Sequence, residues 1–77
     1  MKLYLSKTHC DEDEPKAEEG KWGLIYSSKK DLLKLCNFFD KVRSELNEQE
    51  NIHMHFRDSF DEWNREEFID IEVNVEN

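Results

Sequence analysis

The residues best equipped for chemistry in this chain are two histidines set two positions apart, His53 and His55, with Asp70 and Glu72 following at the same spacing. On an extended strand such a spacing sends both rings to one face, about 7 Å apart at the backbone. Two imidazoles so placed can chelate a transition metal, with Asp70, Glu72 or His9 as third ligand; His53, His55 and Asp70 make the simplest set. A second reading needs no ion. His53, His55 and Arg57 would face Asp70 and Glu72 across a strand pair, and each pair of opposite charge stabilises a sheet by about 0.2–1 kcal/mol. Acid–base catalysis by either histidine with Asp70 requires a concave pocket, which an open sheet face in so small a chain supplies poorly. No serine or cysteine stands in an activating context, and Gly20 and Gly23 form no phosphate-cradling loop. The sequence therefore points away from an enzyme, with no catalytic residue and no cofactor.

Strands must carry these groups. Residues 52–57 alternate strictly, with Ile52, Met54 and Phe56 opposed to His53, His55 and Arg57. Residues 68–75 alternate too, with Ile69, Ile71, Val73 and Val75 opposed to Asp70, Glu72 and Asn74. Each reads as a strand with one dry and one wet face. Residues 2–6 place Leu3 and Leu5 on one side, and residues 22–26 offer a short aromatic and β-branched run, which gives two further strands. Residues 7–20 are acidic, nearly devoid of apolar side chains, and contain both Pro15 and Gly20, so a loop is expected.

A helix is expected over residues 29–48. Leu32, Leu35, Cys36, Phe39, Val42 and Leu46 repeat at three- and four-residue spacing and form its apolar stripe, which leaves Leu33 and Phe38 at the border of the core or outside it. Ser28 serves as N-cap, with Asp31 three residues on. Lys29 and Lys30 in the first turn and Glu45, Glu48 and Glu50 near the end oppose the macrodipole, at about 0.3–1 kcal/mol per group. Either stripe packing outweighs this cost or a partner surface needs the pattern. Between the last two strands, Ser59-Phe60-Asp61-Glu62 matches a capping box and predicts a short helical turn carrying Phe60 and Trp63. Trp63 either closes one end of the core or acts as a binding hot spot.

The order strand, strand, helix, strand, strand is that of an α+β domain: a mainly antiparallel four-stranded sheet with one amphipathic helix on one face. Spatial order 2-1-3-4 makes every neighbouring pair antiparallel; order 1-2-3-4 with a right-handed parallel crossover is the alternative. At 77 residues the chain holds one core, so a single domain spanning 1–77 is expected.

With 19 acidic against 11 basic residues the net charge is -8, which repels nucleic acid and anionic lipid and favours a basic partner. No apolar run approaches the ~20 residues of a membrane span, and a cytoplasmic protein is expected. In that compartment Cys10 and Cys36 stay reduced, with Cys36 buried in the helical stripe as a small hydrophobe. Bare strand edges allow a monomer or a weak homodimer.

Between Gly20 and Val75 the chain resembles the small immunity proteins of bacterial polymorphic-toxin systems, in particular immunity protein family 32. The resemblance rests on Ser28-Lys29-Lys30-Asp31-Leu32-Leu33 at the helix start, His53-Met54-His55-Phe56 followed by Arg57 and Asp58, and the closing Ile69-Asp70-Ile71-Glu72. The acidic stretch Asp11 to Glu19 and the Trp63 loop stand outside it. It implies a bacterial protein that binds and neutralises a co-produced toxin domain. The surface expected to do so comprises His53, His55, Arg57, Asp58, Asp61, Glu62, Trp63, Glu66, Asp70 and Glu72; the alternative is a small metal-binding module built on His53 and His55.

Overall fold

The computed structural model describes residues 1–5, 20 and 22–76. The acidic stretch 7–20 therefore lies outside the described residues except for Gly20, and His9 and Cys10 with it. The chain is α+β: β1 (Lys2–Leu5), β2 (Gly23–Tyr26), α1 (Lys29–Glu48), β3 (His53–His55), a 3-10 turn (Phe56–Asp58) and β4 (Glu72–Asn74).

Helix α1 begins where its cap dictates. The Ser28 hydroxyl accepts the Asp31 N–H at 3.1 Å, and Asp31 is the acidic residue of the first turn. At the far end the Gln49 N–H reaches the Glu45 carbonyl, with no basic residue in the last turn, so the charge pattern opposing the macrodipole stands.

The helix buries only part of the stripe its spacing suggested: Leu35 and Val42 of that stripe are covered, joined by Phe38 and Asp31 from outside it. Asp31, Leu35, Phe38 and Val42 are buried, whereas Leu32, Cys36, Phe39 and Leu46 are exposed. Phe38 is 0% exposed and Phe39 44%, the reverse of the expectation. The cause is the partner. Phe38 packs on Phe56 at 5.6 Å between ring centroids, and Phe56, Phe60 and Phe68 lie 5.0–5.9 Å from one another. Such aromatic pairs contribute about 0.5–1.5 kcal/mol each beyond their burial. The core is thus Leu35, Phe38, Val42, Phe56 and Phe68, with Ile25, Ile52, Met54, Ile71 and Val73 half-buried against it. Cys36 falls outside that core and faces solvent.

The strands pair as two separate antiparallel hairpins, β1 with β2 and β3 with β4, and the single four-stranded sheet is not formed among the described residues. In the first, Leu3 faces Ile25 and Tyr4 faces Leu24, with the Tyr4 and Tyr26 rings edge to face at 6.4 Å. Strands three and four are shorter than their alternation suggested. The chain leaves β3 at Phe56 and enters the 3-10 turn, so Arg57 lies beyond the strand, and β4 starts only at Glu72. A hydrogen-bonded turn does carry Phe60 and Trp63, with the Trp63 N–H reaching the Phe60 carbonyl at 3.4 Å, and it follows the 3-10 turn, whose Phe56 carbonyl accepts the Ser59 hydroxyl at 2.7 Å.

Candidate functional site

The second hairpin positions the imidazoles. Its register sets His53 opposite Asn74, Met54 opposite Val73 and His55 opposite Glu72. The pleat sends Met54 and Val73 to the core, so His53, His55, Glu72 and Asn74 share the outward face. Beyond the strand the Phe56 N–H still reaches the Ile71 carbonyl at 2.9 Å, and the Arg57 N–H donates to Asp70 Oδ1 at 2.9 Å. Asp70 thus caps the place where β3 ends and brings its other oxygen under His55.

The two rings converge. His53 Nε2 and His55 Nε2 stand 3.2 Å apart, and the ring planes meet edge to face. His55 Nδ1 lies 2.7 Å from Asp70 Oδ2, and His53 Nδ1 lies 2.5 Å from Asn74 Oδ1. The Asn74 amide nitrogen donates to Glu72 Oε2 at 2.7 Å. Glu72 Oε1 is 3.6 Å from His55 Nε2. The His55 side chain is only 15% exposed, whereas His53 is 61% exposed, so one ring is held and the other forms the rim.

Both carboxyls are tuned towards ionisation. Burial alone would raise the Asp70 value, but the Arg57 N–H, the hydrogen bond and charge of His55, and the Arg57 guanidinium 3.9 Å away together hold it below the ordinary aspartate value. For Glu72 the Asn74 hydrogen bond is the largest influence; with His53 and His55 it outweighs desolvation and Asp70, and the carboxyl lies below the ordinary glutamate value.

Of the sequence-expected metal set, His53 and His55 are brought together and Asp70 is not their third partner. Asp70 is engaged with the far nitrogen of His55 and with the Arg57 N–H. Glu72 takes the third place: one atom from each of His53, His55 and Glu72 lies within 4.8 Å of the others. Asn74 was missed as a participant, although its alternation with Glu72 placed it on the same face.

The connection between the 3-10 turn and β4 is pinned from within. Trp63 is half-buried against the core and its indole N–H donates to the Ile69 carbonyl at 3.0 Å, which favours the role of closing the core. The Asn64 side-chain oxygen accepts the Glu67 N–H at 2.9 Å, the Phe68 N–H reaches the Asn64 carbonyl, and the Lys41 ammonium donates to the Ser59 carbonyl. On this frame Asp58, Asp61, Glu62 and Glu66 are exposed. Asp58 lies 4.0 Å from the Arg57 guanidinium, and Asp61, Glu62 and Glu66 make no ion pair among the described residues.

Among the described residues no helix is long and apolar enough to cross a membrane. Comparison of the chain with family models, with curated proteins and with solved structures finds no match.

Proposed function

We propose that this chain is a non-enzymatic inhibitor that binds a basic protein partner, a cognate bacterial toxin domain, and neutralises it in the cytoplasm. The observation that carries the reading is the row of exposed carboxylates at Asp58, Asp61, Glu62 and Glu66, mounted on a connection held by internal hydrogen bonds and an aromatic plug. A pinned loop loses little conformational freedom on docking, so more of the electrostatic attraction survives as affinity. Asp61, Glu62 and Glu66, which make no ion pair among the described residues, are available to steer a basic surface, which raises the association rate at low salt. The resemblance of the Ser28 to Leu33, His53 to Asp58 and Ile69 to Glu72 segments to immunity protein family 32 supports the same class of partner.

His53, His55, Arg57, Asp70 and Glu72 adjoin the loop and complete the contact surface, while Trp63 supports it from beneath. Kinetics decide the matter. The combined charge reversal Asp61→Lys, Glu62→Lys and Glu66→Lys should slow association with the toxin domain by about ten-fold or more at low ionic strength and flatten its salt dependence. An association rate unchanged by that triple reversal would remove the loop from the interface.

A further inference from the structure

We propose that His53 Nε2, His55 Nε2 and a Glu72 carboxylate oxygen form a binding site for one zinc-class divalent transition-metal ion, with a water as fourth ligand. The inference goes beyond the inhibitor reading and needs no partner protein.

The argument begins with the hydrogen on each ring. Asp70 Oδ2 lies 2.7 Å from His55 Nδ1, and a carboxylate oxygen accepts there, so Nδ1 of His55 carries the hydrogen. Asn74 directs its amide nitrogen to Glu72 Oε2, which turns its oxygen towards His53 Nδ1. An amide oxygen only accepts, so Nδ1 of His53 carries the hydrogen as well. In the neutral rings both Nε2 atoms are then bare lone pairs, and they face each other at 3.2 Å. Two acceptors at that distance repel. A cation bound by both converts the contact into a chelate.

The spacing suits that ion. Zinc binds imidazole nitrogen at about 2.0–2.1 Å in tetrahedral geometry, which sets two such nitrogens about 3.3 Å apart. Glu72 Oε1, the oxygen not engaged by Asn74, already lies 3.6 Å from His55 Nε2, so a small side-chain movement completes a three-ligand set. Two imidazoles and one carboxylate suit zinc and its first-row neighbours; calcium and magnesium prefer all-oxygen sets. Surrounding groups fit as well. Asp70 and Asn74 each hold the Nδ1 side of a ligating ring, the arrangement by which outer carboxylates and carbonyls orient metal-bound histidines. Because the ligands come from both β3 and β4, the ion would clamp the hairpin across its open face.

The test uses the full chain, stripped with chelator and titrated with zinc chloride by calorimetry, then with cobalt(II) by visible absorption. One equivalent of zinc is expected to bind and to raise the melting temperature by about 10 °C at a hundred-fold excess over the dissociation constant. Cobalt should give the intense visible bands of a tetrahedral site. His53→Gln, His55→Gln and Glu72→Gln, each confirmed folded by circular dichroism, should weaken binding by about ten-fold or more, and Asp70→Asn by about 10–100-fold with the cobalt spectrum retained. A His9→Gln, Cys10→Ser chain should bind as the wild type does. Absence of saturable zinc binding, or wild-type affinity in the folded His53→Gln, His55→Gln double variant, would overturn the proposal.

Discussion

His55 and Asp70 are joined by a 2.7 Å contact between Nδ1 and Oδ2, while the second oxygen of the same carboxylate accepts the Arg57 N–H. One side chain therefore orients the inner imidazole of the hairpin and ends the strand on which that imidazole sits.

Replacing Asp70 with Asn should make stability less sensitive to acid. The native Asp70 carboxyl lies below its unfolded value of about 3.9, so its contribution is present above that pH and is lost as pH falls through the lower, folded value. Urea midpoints measured between about pH 6 and pH 2 should show the wild type leading at the upper end and the gap closing at the lower. A gap constant across that window would contradict the assignment.

Phe38 and Phe39 separate the two possible faces of α1. Phe38→Ala should cost about 3–5 kcal/mol, a large share of the roughly 4–12 kcal/mol expected of a domain this size. Phe39→Ala, at a 44% exposed position, should cost about 1 kcal/mol or less. Chemical denaturation of the two variants checks this, and equal losses would restore the line first read from the sequence.

Cys36 gives an independent check of the same rotation. In a Cys10→Ser background its exposed thiol should react stoichiometrically with a thiol reagent under native conditions, at a rate close to that in denaturant. Protection of more than about a hundred-fold would mean that the residue is covered.

The outward face of the second hairpin was legible because strict alternation leaves one register open to it. Once Met54 and Val73 must be dry, His53, His55, Glu72 and Asn74 must be wet. The helix was legible for a similarly local reason, the Ser28 cap followed by periodic apolar residues. Which side of that helix is buried was not. Of the stripe read from the spacing, Leu35 and Val42 are buried while Leu32, Cys36, Phe39 and Leu46 are exposed, because the aromatic plug of Phe56, Phe60 and Phe68 draws in Phe38 instead.

Pairing between distant strands was likewise out of reach. Local pattern states which residues are half-buried and says nothing about which edges meet, so a four-stranded sheet and two hairpins read alike. At the site, the spacing identified His53 and His55 but put Asp70 ahead of Glu72 as their third partner with no physical ground for the choice. Both lie on the wet face, and the choice is made by the Arg57 N–H, which engages Asp70 as the chain turns out of β3.

The most direct test of the inhibitor account is a titration of toxin activity. On the proposed reading, a basic toxin domain encoded beside this chain's gene would lose its activity as one equivalent of the chain is added, and the Asp61, Glu62 and Glu66 reversal would shift that end point to higher protein. Undiminished toxin activity in the presence of a large molar excess of folded chain would contradict it.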